Sequence, residues 1–482
     1  MNYKMILNTT GKVCILLAAL MVLPLVVSLI YLEFTALIAF AVSIAISFAV
    51  GELLLRLCRP DKRDIYAKEG LIIAAIAWLA ASALGAIPYT ISGEIPFYVD
   101  ALFETISGLT TTGSSVVKDV TALSHGVLFW RSFTHWVGGM GILVFVMAIA
   151  SRSNDRSMNI LRAEMPGPTV DKLVPRAKDT AKILYIIYFG MTVLLVVLLL
   201  FGKMSLFDAL IHAFGTAGTG GFGMKPDSLA SYSPYCQWVI AVFMLLFGVN
   251  FNLYYLVFIG KAKDFFKSEE LHLYLGIVLV STIAIAGNLY ITSRNVEEAF
   301  RLSFFQVSSV ITTTGFSTCD FDLWSNFSKS ILLILMFIGG CAGSTAGGFK
   351  VSRVGILLKK IRFEMKKAVH PRTTAVIKFE GKRIENETIS ALGSYLAVYC
   401  VTLLGLFLLV SIDGTFDLES NFSAVAACFN NIGPAFGAFG PLSSFANASV
   451  FTKFVLSFAM LLGRLEIYPL LIAVNPVTWI KK

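Results

Sequence analysis

The 482-residue chain is 56% hydrophobic and only 14% charged, with a mean hydropathy of +0.77 and a formal net charge of +9. A soluble domain carries about 25% charged residues, so this composition excludes a water-soluble globular fold. Apolar runs near the roughly 20 residues that cross a bilayer recur along the whole chain.

In chain order the predicted spans are 12–33, 35–57, 70–92, 126–150, 181–202, 237–260, 270–293, 327–358, 389–412 and 450–475, ten crossings in all. The first is too long for a signal-peptide h-region and lacks a small-residue cleavage site, so it reads as a retained helix. Four further apolar segments, at 98–110, 206–217, 298–311 and 418–430, are too short to span and read as re-entrant helices. Asp100, Asp208, Asn295 and Asp417 or Ser420 are their expected N-caps.

With the N-terminus inside, the basic residues collect on one side. They lie in the 58–69 loop (Arg59, Lys62, Arg63, Lys68), the 151–180 loop (Arg152 to Lys178), the 261–269 loop (Lys261, Lys263, Lys267) and the 359–388 loop (Lys359 to Arg383). The tail adds Lys481-Lys482. The positive-inside rule then puts both termini in the cytoplasm and makes the +9 a topology signal rather than a nucleic-acid footprint. The seven cysteines (14, 58, 236, 319, 341, 400, 428) have no CxxC or metal-like spacing. A Cys236–Cys319 disulfide is an option only if both face outside.

Each short segment runs into a loop with glycine at a fixed place. The loops are Thr110-Thr111-Thr112-Gly113-Ser114, Gly218-Thr219-Gly220-Gly221-Phe222, Thr312-Thr313-Thr314-Gly315-Phe316 and Asn430-Asn431-Ile432-Gly433-Pro434. Their anchor glycines lie 108, 94 and 118 residues apart, and Asp-Ala-Leu stands thirteen residues before both Gly113 and Gly221. After two N-terminal spans (1–60), the chain therefore reads as four pseudo-repeats of span, pore helix, loop and span: 61–175, 176–266, 267–385 and 386–482. One such loop is an ordinary tight turn between membrane helices. Four in register suggest a ring of backbone carbonyls around a central pore. An ion such as potassium gives up its hydration shell only when oxygens replace it, and glycine supplies the dihedrals that turn carbonyls inward. The loops hold no Asp or Glu ring of the kind that selects divalent ions. The C-terminal ends of the short helices add negative dipole ends that favour a cation.

Three other motifs stand out: Gly138-Gly139-Met140-Gly141, the run Gly339-Gly340-Cys341-Ala342-Gly343-Ser344-Thr345-Ala346-Gly347-Gly348-Phe349-Lys350, and Gly463-Arg464-Leu465-Glu466-Ile467. With the four loops, they make the chain resemble the Trk/Ktr/HKT superfamily of potassium transporters over essentially its whole length, and most of all the membrane subunit of bacterial Trk systems. The two extra N-terminal spans resemble the Trk branch. Glycine at 113, 221, 315 and 433 resembles the potassium-selective pattern, while Gly218 departs from the threonine at 110 and 312. The resemblance implies multi-pass potassium uptake across a bacterial inner membrane, with potassium as substrate and no bound cofactor. It also implies a homodimer surrounded by lipid and a cytosolic ring of nucleotide-binding, TrkA-like regulatory subunits, docking here on the basic loops 151–180 and 359–388. A sodium-conducting or sodium-coupled transporter of the same superfamily is the alternative.

Residues 339–348 interrupt a predicted span with five glycines beside Ser344 and Thr345, poor helix formers tolerated at membrane depth only beside a cavity or in close helix packing. The resemblance implies that this segment is an intramembrane gating loop. Arg464 sits mid-span, where an unpaired charge costs roughly 3 kcal/mol or more, and is expected to face the pore and touch that loop. Glu466 lies two residues on, on a different helix face from Arg464. Lys350 reads equally as a second pore charge or a cytoplasmic anchor. His125, His135, His212, His272 and His370 show no ligand spacing. The spans hold few other ionisable groups, which argues against a membrane-embedded enzyme. No phosphate-binding GxxxxGK[ST] or GxGxxG unit is present, so nucleotide control belongs to a partner.

Overall fold

The computed structural model describes residues 1–60, 67–141, 177–372 and 376–479. The predicted boundaries at 61 and 175, Lys62 and Arg63, most of the basic 151–180 loop and Lys481-Lys482 lie outside them. Among the described residues the chain is an all-α membrane fold with one small hairpin, Lys378–Phe379 against Lys382–Arg383.

Six helices among the described residues are long and apolar enough to cross a bilayer: Tyr3–Ile30, Phe34–Leu57, Lys68–Ile91, Asp179–Phe201, Glu269–Ile291 and Asn386–Ser411. Tyr3–Leu20 and Phe34–Leu57 lie against each other at two glycines, where a Cβ on Gly51 would come within 2.8 Å of the Gly11 carbonyl. Small residues permit this close backbone approach.

The other four predicted spans are the second helices of the repeats, and among the described residues three of them are interrupted. His125–Gly139 stops at a glycine pair, and the rest of span 126–150 lies outside the described residues. Span 237–260 is two helices, Pro234–Phe247 and Phe251–Phe258, bent by 91°. Span 327–358 is Asn326–Ile338 and Val351–Val369 around the expected break. Span 450–475 is Val450–Arg464 and Tyr468–Val474, separated where Glu466 and Ile467 both take positive φ (55° and 65°). Only the interruption at 339–348 is expected from sequence. Among the described residues the expected ten straight spans are therefore met by six continuous span-length helices and by the bent pair of repeat 2.

The short helices are Tyr98–Leu109, Leu206–Gly218, Val296–Ile311 and Leu418–Phe429. Asn295 and Asp417 cap the last two as expected, accepting from Glu298 N (3.3 Å) and Ser420 N (3.1 Å). Bonds from the Ser420 hydroxyl and N–H hold the Asp417 carboxyl below the usual range. Asp100 and Asp208 instead sit in the first turn: Phe97 precedes the first helix, and Ser205 caps the second by accepting from Asp208 N (3.0 Å). An acid in the first turn still complements the helix dipole. Each second helix also opens on a serine cap: Ser124, Ser233, Ser325 and Ser449.

Candidate ion pathway

All four short helices end in one backbone motif. In loop 1, Thr111 N donates to Gly108 O (3.1 Å) and Thr112 N to Ser107 O (2.8 Å). The same pair of bonds recurs from Thr219 and Gly220, from Thr313 and Thr314, and from Asn431 and Ile432. This is a Schellman ending, whose left-handed residue is usually glycine. Here it is Thr111 (φ 57°), Thr219 (56°), Thr313 (55°) and Asn431 (57°). A β-branched residue in that region is strained by about 1–2 kcal/mol. Two residues on, Gly113, Gly221, Gly315 and Gly433 all have positive φ.

These glycines close a ring. A Cβ on Gly113 would strike the carbonyl oxygen of Gly220, one on Gly221 that of Thr314, and one on Gly315 that of Ile432. One on Gly433 would lie 2.7 Å from the oxygen of Thr112, which returns to loop 1. In each loop the two N–H groups before the anchor glycine are spent on their own helix. Among the described residues, of the carbonyls at 111–113, 219–221, 313–315 and 431–433, only that of Gly433 accepts a hydrogen bond (from Ser114 Oγ, 3.0 Å). All four anchor glycines line one open cavity of about 190 Å³.

Side chains brace this ring unevenly. Thr110 and Thr312 hydroxyls bond Ile106 O and Ser308 O (both 2.6 Å) and meet Thr112 and Thr314 (both 2.8 Å). Behind loop 1, buried Arg131 pairs with buried Glu104 (2.7 Å). Glu104 also accepts from Ser115 Oγ (3.0 Å) and Val116 N (2.9 Å). The Arg131 guanidinium stacks 4.0 Å from the Phe222 ring of loop 2. His135 spans the same gap, from Gly108 O (2.8 Å) to Phe222 N (3.3 Å). Tyr399 Oη reaches Asn430 Oδ1 (2.6 Å) in loop 4.

Across the ring from that cavity lie residues 339–348, turned by positive φ at Gly339 (75°), Gly343 (72°) and Gly348 (77°). Gly347 N donates to the Thr313 hydroxyl at 2.6 Å, which seats the segment against loop 3. A Cβ on Gly347 would strike the Asn430 carbonyl. Thr345 Oγ1 reaches Phe247 O (3.2 Å), and Cys341 N donates to Gly248 O (3.0 Å), both at the bend of repeat 2.

Arg464 gathers the rest. Its guanidinium donates to Thr345 O (3.0 Å), Thr111 Oγ1 (3.3 Å), Gly139 O (2.6 Å) and Gly138 O. It thereby touches loop 1, the end of His125–Gly139 and the 339–348 segment. Glu466 pairs with buried Arg353 (2.7 Å) and lines one small cavity with Arg464. Lys350 is buried, donates to Ala346 O, and with Arg464 and Ser344 lines a cavity of about 30 Å³, so it is no surface anchor.

Sequence reasoning missed Glu104, Arg131, Glu270 and Arg353, and its expectation of few ionisable groups needs correcting. The signal was available as single charged letters within apolar stretches. Cys236 and Cys319 are free thiols, and Cys236 Sγ contacts Gly202 O (3.4 Å). Among the described residues no His, Cys, Asp and Glu group could hold a metal ion.

The TrkH family model, described as a cation transport protein, matches residues 36–279 and 270–477. The "Trk system potassium uptake protein TrkH" of Salmonella typhimurium is 34% identical over 99% of this chain and 100% of its own length. TrkG of Escherichia coli K12, likewise named a potassium uptake protein, is 33% identical over 99% of both chains. The crystal structure of the potassium transporter TrkH from Vibrio parahaemolyticus superposes with a TM-score of 0.89 at 31% identity, covering 100% of both chains. These relatives are named as transporters, not enzymes. The chain belongs to the TrkH family of cation transport proteins.

Proposed function

We propose that this protein carries potassium into the cell across a bacterial cytoplasmic membrane, through the ring formed by residues 110–113, 218–221, 312–315 and 430–433. The observation that carries this reading is the closed cycle of anchor glycines beside carbonyls that accept almost no hydrogen bond. Uncommitted carbonyls can replace the water around a dehydrated monovalent ion, and the loops carry no carboxylate that would favour a divalent one. The names of the relatives supply potassium as the ion.

Residues 339–348, Lys350 and Arg464 form the gate: a backbone plug and a fixed positive charge on the path below the ring. The charge is held by four oxygens and raises the barrier to a cation. Both termini face the cytoplasm, as does the basic 359–388 segment. That segment is the docking surface for a cytosolic nucleotide-binding subunit, and the chain works as a homodimer in lipid.

The test is uptake of radioactive rubidium into liposomes holding the purified chain, with potassium and sodium as competitors. Block by potassium and little by sodium is the expected result. Equal block by sodium overturns potassium selectivity and leaves a monovalent-cation pathway.

A further inference from the structure

The 339–348 segment is secured from the pore side by Thr313 and Arg464, and from the opposite side by one carboxylate. Glu270 lies in the first turn of Glu269–Ser293 and is 6% exposed. Its Oε1 accepts from Ala342 N (2.8 Å) inside the segment and from Ser352 N (3.1 Å), just after the segment returns to helix. Among the described residues no other carboxylate accepts from the backbone of 339–348. One oxygen therefore ties the loop to the turn that follows it, and both to the start of a third helix.

That start is itself held from the cytoplasmic side. Glu380, at the turn of the Lys378–Phe379/Lys382–Arg383 hairpin, accepts from Ser268 Oγ (2.8 Å) and from the backbone N–H of Glu270 (2.8 Å). Lys359, on the helix leaving the segment, donates to Lys378 O (2.8 Å) and pairs with Glu269. Phe379 packs on Gly355 of the same helix, where a Cβ would lie 2.9 Å from the ring. A surface hairpin and the plug thus grip the same residue, one through its amide and the other through its carboxylate.

We propose that Glu270 is a positioning residue that latches the 339–348 plug shut, and that the hairpin, through Glu380, is its cytoplasmic handle. The inference rests on the gate reading above. Charge-assisted hydrogen bonds from two backbone N–H groups to one buried carboxylate favour a single loop position. A partner that draws the hairpin away takes Glu380 from the Glu270 amide, shifts the first helical turn and loosens Ala342.

The test is rubidium flux through the full chain in liposomes without any cytosolic partner. Glu270→Ala raises flux about tenfold, the equivalent of losing roughly 1.4 kcal/mol of hold on the closed plug. Glu270→Gln, whose amide oxygen accepts from the same two N–H groups, restores low flux, which a mere loss of folding would not. Glu380→Ala, at an exposed turn with little risk to folding, raises flux about threefold. The double Ala variant exceeds Glu270→Ala no further, because Glu380 acts through Glu270. If Arg464→Ala raises flux while neither glutamate variant does, the latch is wrong and the gate stands. If none of the three raises flux, the gate reading falls with it. Lost flux in monodisperse Glu270→Ala also overturns the latch.

Discussion

The ring and the block beneath it are built on opposite plans. In the ring, four loops repeat one backbone path to within a few degrees of φ at the left-handed position, although their side chains differ (Thr111, Thr219, Thr313, Asn431). In the block, the second helices of the four repeats contribute unlike parts. Repeat 1 offers carbonyls at 138 and 139, repeat 2 a bend, repeat 3 a plug, and repeat 4 an arginine. A dehydrated ion needs equivalent oxygens on all sides, which only the backbone can supply at four unlike sequences. A gate must occupy one position or another, and asymmetric side-chain contacts define such positions.

The largest effect expected concerns support behind the ring, where the comparison is most exposed. Nine residues before the four anchor glycines stand Glu104, His212, Gln306 and Ala424, so only repeat 1 holds an ion pair there. Arg131→Ala leaves the Glu104 charge buried and unpaired, at a cost of about 3–5 kcal/mol in thermal unfolding in detergent. Replacing both by apolar residues recovers much of that loss. Gln306→Ala costs far less; an equal cost would mean the repeats share the burden after all.

Next come the anchor glycines. Gly113→Ala, Gly221→Ala and Gly315→Ala drive a methyl into the neighbouring loop's carbonyl at a positive φ, and rubidium uptake falls about 100-fold. At Gly433 the neighbouring oxygen is 2.7 Å away, so Gly433→Ala costs nearer to tenfold. A ranking with Gly433 worst would break the ring geometry.

The unequal legibility of the two regions has the same origin. Anchor glycines announce themselves because no other residue serves at all four places, and the short helices because a dozen apolar residues cannot span. Gly248 at the bend of repeat 2 and Gly463 just before the break of repeat 4 are single glycines whose reason lies elsewhere. A Cβ there would meet Tyr274 Oη at 2.6 Å or strike the Phe429 carbonyl oxygen. Glu104 and Arg131 are 27 residues apart, and Glu270 and Ala342 are 72. No local pattern joins such pairs; the packing does.

Arg464→Ala is the third expectation, and it acts in the other direction. Removing the charge and its bond to Thr345 O lowers the barrier and frees the plug, so flux rises about tenfold. Unchanged flux in a well-folded variant would remove Arg464 from the gate and leave the ring untouched.

The smallest effect separates the two plans most finely, because it asks one residue position to behave differently in different repeats. Thr313 and Thr219 share the same φ, yet the Thr313 hydroxyl accepts from Gly347 N of the plug (2.6 Å), whereas the Thr219 hydroxyl turns back to Gly218 O (2.6 Å). Valine keeps the shape and branching of threonine without the oxygen. Thr313→Val therefore strands the Gly347 N–H, weakens the closed plug by about 1 kcal/mol, and raises basal rubidium flux about fivefold. Thr219→Val leaves basal flux where it was, because nothing in the plug loses a partner. Equal changes in both would mean that the hydroxyls act on ions in the ring, and that the symmetry of the backbone extends to the gate.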